Sequence, residues 1–550
     1  MATDPILRLR RSAAQLHALV SVERQIRATD GKSRCRYLRD FSESFREYQH
    51  PLSPAELDHL WSRACMLLIG DYHALPASQL FAAGLLQRLA SGRPVVLGLE
   101  AVFSRHQSAL DDWMRGDLDE TELRERLRFD LDWGYDWTPY RDLLLVARQS
   151  ATAVYGLDCP PRGDLRRIAA RDHHAAARMA SIRSAHPEAV IVGLIGESHL
   201  APTHLPSLIH EALPSERVLC VLQNVDPLYW KAAGEPKHVS AVQVRDDVVC
   251  VFNSTPLEKY ESYRLCLERW SRQPRAAVDL APSFYNLIDA LLDFLNLDKY
   301  SSYRGQACYL VDMLPEVICR PAQQCEILLR RKGIEGKQLL SVLTTLRHRG
   351  VCFVPFLNSI FASRFTVEAA SEAVARFVHR AFQTSEPPAL AADPTDSFYV
   401  VALSHALADF GSRVLFPARP AMRELDLYAY YAQPPDQVEE QTGFRCHPFM
   451  QMIDFLVLHK DYELNQRHYL RMPELILEGL TWGEERFDFL TRRLGLMLGS
   501  QLYDAYLAGR IGRRFLRSLF VCDLASPGLA RTLYFDAARR SAGKSRRLAS

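Results

Sequence analysis

Short apolar runs punctuate the first half of the chain: Ala64–Ile69, Pro94–Leu99, Thr152–Leu157, Ala189–Ile195 and Arg217–Leu222. None alternates apolar and polar residues, so each reads as a strand buried on both faces. Helical stretches separate them, the first from about Pro76 to Leu89. That rhythm predicts βαβ units and a parallel sheet with helices on both sides. Two further runs, Val239–Val244 and Val248–Asn253, flank Arg245-Asp246-Asp247 and read as a hairpin at the sheet edge.

The pattern also divides the chain. Residues 1–58 read as a helical, arginine-rich N-terminal extension, with Pro51 and Pro54 near its end. Residues 59–272 read as an α/β domain, a parallel β-sheet flanked by helices. Between its second and third strands lies a polar helical insertion, about 104–149, holding Trp113, Trp133, Tyr135, Trp137 and Tyr140. An insertion there is expected to cap the sheet edge. A linker is placed around 273–281, and residues 283–550 read as a mostly α-helical C-terminal domain of unknown role. One strand–helix–strand candidate interrupts it, at Glu326–Arg331, Lys337–Arg349 and Val351–Phe356.

Composition narrows the function classes. The 550 residues are 48% hydrophobic and 24% charged, as in ordinary globular proteins. A net charge of +2 gives no global field for holding nucleic acid. No apolar run approaches the length of a membrane span. Arg8, Arg10 and Arg11 fall where a signal peptide needs an apolar stretch, so a cytoplasmic location is expected. The 12 cysteines contain no C-x-x-C pair and are expected to be reduced thiols.

Candidate chemistry sits where the strands end. Gly70-Asp71-Tyr72-His73 follows the first run, Glu100 the second, Asp158 the third, Gly196-Glu197-Ser198-His199 the fourth, and Asn224 and Asp226 the fifth. In a parallel sheet these ends share one edge, where such folds bind ligands. The glycines suit turns that need positive φ or close backbone approach. Three readings follow. His73 and His199 with Glu100 or Glu197 form a divalent metal site with an open position for water. Alternatively, one histidine tuned by Asp71 or Glu100 activates water in a metal-free hydrolase. In the third, His73 or Tyr72 reaches a haem iron while tryptophans of the insertion cover the ring. Simpler structural roles stand beside these: an ion pair of Glu100 with Arg105, a turn role for Asp158, and a mini-core for the aromatics at 133–140. His173-His174, with Arg166, Arg167 and Arg171, reads as a solvated helix face.

The series G-D-Y-H (70–73), G-L-E (98–100), Trp137…Tyr140-Arg141 and G-E-S-H (196–199) resembles the ChaN-like domain over about residues 60–272. ChaN-like proteins are haem-binding uptake proteins of the Tiki superfamily, which also holds the TraB and erythromycin esterase groups. The resemblance implies an α/β domain with a helical cap and a site at the strand ends. It implies His73, Glu100 and His199 as site residues, with Asp71 and Glu197 beside the histidines. Relatives commonly carry Glu where this chain has Asp71. The implied functions are binding of haem or iron, with His73, Tyr72, Trp137 and Tyr140 as cofactor residues, or hydrolysis of a small-molecule substrate by a metal-bound or His-activated water. A third is a non-catalytic interaction protein with a degenerate site.

Overall fold

The computed structural model describes residues 5–30, 36–160, 168–235, 239–271, 279–300, 310–383, 394–480, 483–524 and 526–542. The chain forms two compact units: Val22–Arg275, and Ala2–Ser21 with Ala276–Ser550. Residues 272–278 of the expected linker lie outside the described residues.

The first unit is built on an eight-stranded sheet. Its strands are β1 (His50–Pro51), β2 (Met66–Asp71), β3 (Val95–Phe103), β4 (Ala153–Asp158), β5 (Val190–Gly196), β6 (Val218–Gln223), β7 (Ala241–Arg245) and β8 (Val248–Val251). They lie in the order β1-β7-β8-β6-β2-β5-β3-β4. From β8 to β4 every pairing is parallel, while β7 pairs antiparallel with β8 and β1. The apolar runs therefore form the strands they predict, including the hairpin, whose β7 is covered at the sheet edge by the two-residue β1. Alternate side chains feed two cores. Leu67, Ile69, Leu97, Leu99, Val192 and Leu194 pack in the core that includes the cap and the helix Pro76–Ala90. Met66, Leu68, Val96, Ile191 and Ile195 pack on the other face, with residues of Ile168–Ala185 and Leu205–Ala212.

The insertion folds into four helices: Gln107–Arg115, Glu120–Arg126, Phe129–Asp132 and Trp137–Ser150. Asp119 caps the second through a capping box with Glu122, and Asp136 caps the fourth through the Thr138 amide. A left-handed Gly116 (φ 84°) ends the first, a conformation that costs glycine least. The N-terminal extension contributes the helices Pro5–Thr29, Arg36–Ser44 and Pro54–Arg63.

The second unit is mostly helical, with a three-stranded sheet of β9 (Glu316–Cys319), β10 (Val351–Val354) and β11 (Ser359–Ala362) in the order β10-β11-β9. The expected strand Glu326–Arg331 is instead helical, inside Ala322–Arg331. Its buried residues Cys325 and Leu329 are four apart, a helical spacing, and Glu326–Arg330 pair across one turn. The helix Gly336–Arg349 and strand β10 follow as predicted. No described helix is long and apolar enough to cross a membrane. The ten described cysteines are free.

Candidate functional site

The strand order explains why distant residues meet. β5 enters the sheet between β2 and β3, so the turns after β2 and β5 and the end of β3 are neighbours. Asp71 pairs with Gly196 in the last rung of the β2–β5 ladder. β3 runs on through Phe103, with a register shift against β4 between Leu99 and Phe103, so Glu100 lies within the strand at its irregularity rather than after it.

Two polar groupings share this edge. The first centres on Asp71, which is 3% exposed. Its Oδ2 accepts from Tyr140 Oη at 2.6 Å and contacts His73 Nδ1 at 2.9 Å, and its Oδ1 accepts from the Gln79 amide. The His73 ring meets Trp133 edge-on at 4.4 Å and Tyr135 at 5.2 Å. Its side chain keeps 21% exposure.

The second grouping is a buried charge cluster. Glu100 accepts from the Gly196 amide on one oxygen and from Arg171 on the other. Arg171 also clamps Asp158 through two bonds, at 2.7 and 2.9 Å. His199 places Nε2 3.4 Å from Glu100 and Nδ1 against Asp172. Burial opposes a charge on His199, but Glu100 and Asp172 outweigh it and push its pKa up to about 10. Burial would raise the Glu100 carboxyl, yet His199 and Arg171 hold it well below the usual carboxylate range. The two carboxylates thus favour the His199 imidazolium, in which both ring nitrogens donate.

Gly196 joins the groupings. A Cβ there would sit 3.1 Å from both Glu100 Oε2 and His73 Nε2. Its φ is −46°, and Gly70 also lies outside the positive-φ set, so close approach rather than left-handed backbone explains both glycines.

Glu197 belongs to a third set. It pairs with Lys259 at 3.1 Å, and Lys259 also lies 3.7 Å from Asp226 and 4.7 Å from the Tyr72 ring centre. Burial pushes the Tyr72 phenol well above its ordinary value, with Tyr260, Glu197 and Asp226 adding to it. Tyr72 also meets Tyr263 edge-on at 6.1 Å. Trp137 is 5% exposed, packs on Phe129 at 4.9 Å and donates to Glu120 at 2.9 Å. It stands in the core of the cap, as does Trp133, which together with the partly buried Tyr135 also flanks His73.

Some of these residues escape a strand-end search. Arg171 and Asp172 lie on the helix Ile168–Ala185, whose buried side chains are Ile168, Arg171, Asp172, Ala175, Ala176, Met179, Ile182 and Arg183. The solvated-face reading fails for Arg171, which is 9% exposed, and Arg166 and Arg167 lie outside the described residues. The signal is present in the sequence: both charges fall on the three–four repeat of the apolar face. Glu100 pairs with Arg171, and Arg105 instead pairs with Asp132. From the N-terminal extension, Tyr37 packs edge-on to His199 at 5.8 Å and stacks on His204 at 3.5 Å. Among the described residues, no group of three or more His, Cys, Asp or Glu side chains is arranged to hold a metal ion.

Comparison with known proteins adds to this geometry. No curated protein matches the chain. A solved structure described as "Cofacial heme binding to ChaN of Campylobacter jejuni" is 17% identical, covering 32% of this chain and 86% of that one with a TM-score of 0.26. Residues 59–176 match the family model described as "Haem-binding uptake, Tiki superfamily, ChaN". The match spans His73, Glu100, Tyr140 and Arg171 and stops before the turn at His199. Over residues 59–176, the first unit thus carries a ChaN-like segment of the Tiki superfamily.

Proposed function

We propose that the first unit binds haem at the strand-end edge, with His73 the residue that would hold the iron through Nε2. The Asp71–His73 pair carries this reading. Metal-binding histidines typically give their second ring N–H to a carboxylate, which fixes the tautomer and raises the basicity of the ligand. Asp71 supplies that carboxylate at 2.9 Å and is itself held by Tyr140 and Gln79. Trp133 and Tyr135 offer an aromatic wall beside the ring, suited to a planar apolar ligand. Tyr72 is the poorer iron ligand, because burial disfavours the phenolate it would have to become. Bound haem would supply the iron and its ligand chemistry. His73 would orient it, and the cap aromatics would exclude water.

A divalent ion shared by His73, Glu100, Glu197 and His199 has less support, since His199 Nδ1 is taken by Asp172 and Glu197 is engaged by Lys259. The hydrolase reading keeps one specific observation in its favour. The same Asp71–His73 pair is the arrangement of a general base, with Nε2 free of the carboxylate that orients the ring.

Titrating hemin into wild type, His73→Ala and Tyr72→Phe tests the proposal. A stoichiometric Soret band is expected in wild type and Tyr72→Phe and is expected to be lost or shifted in His73→Ala. A wild-type band in His73→Ala would overturn the assignment. Absence of hemin binding, together with esterase activity that needs His73, would establish the hydrolase.

A further inference from the structure

The helix Pro256–Ser271 supplies a further side of the strand-end site, and it lies beyond the segment that matches the family model. Lys259, Tyr263, Cys266 and Trp270 follow a four–three–four spacing, so they share one face of the helix. From the first of them to the last is roughly 16 Å along the axis, at about 1.5 Å per residue. That face runs along the strand-end edge. Lys259 holds Glu197 at 3.1 Å and sits 4.7 Å from the Tyr72 ring centre. Tyr263 meets Tyr72 edge-on at 6.1 Å. Trp270, at the far end, reaches the cap.

The contact it makes there falls on one loop. The Trp270 indole Nε1 donates to the Gly134 carbonyl at 3.0 Å, across 136 residues of sequence. Its ring meets Tyr135 edge-on at 5.0 Å. Gly134 stands between Trp133 and Tyr135, the two aromatics that flank His73 at 4.4 and 5.2 Å. The amides of Trp133 and Gly134 both donate to the Phe129 carbonyl, at 2.9 and 3.0 Å, and Gly134 takes a left-handed φ of 79°. Asp136 then caps the helix Trp137–Ser150. The bond from Trp270 thus holds the loop midway between the two rings that face His73.

Trp270 does more than fill the core. It is 42% exposed, although an indole gains more than most side chains from full burial. What it contributes is a donor and a ring edge, both directed at the Gly134–Tyr135 backbone and ring. Loss of such a latch shifts a local opening equilibrium without unfolding the domain, since loops open at free energies well below the global one.

We propose that Trp270 is a positioning residue, which acts through Gly134 and Tyr135 to hold the aromatic wall against His73 and so limits access to that ring. The inference rests on His73 as the residue that holds the ligand. It makes the helix Pro256–Ser271 part of the site, and it is testable on the protein with nothing bound.

The test is ethoxyformylation of the full chain by diethyl pyrocarbonate, followed histidine by histidine with peptide mass spectrometry. Wild type is compared with Trp270→Phe and Trp270→Ala. The exposed His59 reports reagent activity, and the buried His199 reports unfolding. In Trp270→Phe, which keeps a ring beside Tyr135 and loses one hydrogen bond, His73 is expected to react about threefold faster. In Trp270→Ala, which loses the ring contact as well, it is expected to react about tenfold faster or more. The His59 and His199 rates are expected to stay at their wild-type values. A wild-type His73 rate in both variants, or an equal rise at His199, would overturn the proposal. Hemin titration of wild type is the separate control. No hemin binding would remove the haem reading, while the His73 rates would still decide the role of Trp270.

Discussion

His199→Gln tests the buried charge cluster most directly. In wild type the imidazolium bridges Asp172 and Glu100, and its side chain is 7% exposed. The substitution leaves Arg171 on Glu100. Asp172 fares worse, because its Oδ2 has no hydrogen-bond partner among the described residues and its Oδ1 loses the ring. Removing one member of a buried ion pair costs about 3–5 kcal/mol, since the partner charge stays buried and unpaired. The effect depends on pH. A histidine whose pKa rises on folding contributes stability that is complete below its unfolded value and is lost as pH climbs through the folded value. Here that window opens at roughly 6.5 and closes at about 10. Within it the native state holds one more proton than the unfolded chain, so this group lowers stability by about 1.4 kcal/mol per pH unit. Urea unfolding at pH 7, 8 and 9 measures this, followed by tryptophan fluorescence. Six of the 7 tryptophans, Trp61, Trp113, Trp133, Trp137, Trp230 and Trp270, belong to the first unit and Trp482 to the second, so the signal reports mainly the first. The expected result is a variant several kcal/mol weaker at pH 7 whose deficit shrinks towards pH 9. Equal stability at pH 7, or a deficit constant across the series, would refute the protonated bridge.

Arg171→Met strips the shared partner from Glu100 and Asp158 and is expected to destabilise the first unit by about 3–5 kcal/mol in the same urea assay. Tyr140→Phe removes the 2.6 Å bond to Asp71; about 1–3 kcal/mol of stability should be lost, and hemin affinity should fall less than in His73→Ala. Gly156→Ala would bring a Cβ within 2.8 Å of the Phe103 carbonyl oxygen, a backbone atom, and should cost about 1–3 kcal/mol in thermal melts. At Gly193 the first atom met is the flexible Met179 Cε at 2.7 Å, so Gly193→Ala should cost clearly less. Equal losses at the two glycines would show that the Met179 side chain does not yield.

The strands were legible because burial on both faces leaves a continuous apolar signature, as in Leu67–Ile69 and Val190–Ile195. The expected strand at Glu326–Arg331 failed because a short mixed segment carries no such signature. A helical repeat of Cys325 and Leu329 decided it. The gathering of His73, Glu100 and His199 at one edge was likewise open to inference, since parallel strands place their ends together. Their roles were not.

The sequence by itself determined the sheet, the cap and the residues at the strand ends, because local periodicity and turn chemistry act within a few residues of each other. Only the tertiary structure decided which charges neutralise which. β5 inserted between β2 and β3, and the buried face of Ile168–Ala185 swung Arg171 and Asp172 against Glu100 and His199. That contact surrounds His199 with carboxylates that favour its cation, while His73, outside it, is oriented by Asp71. Protonation depends on the charges and the burial around a group, and those come from segments far apart in the chain.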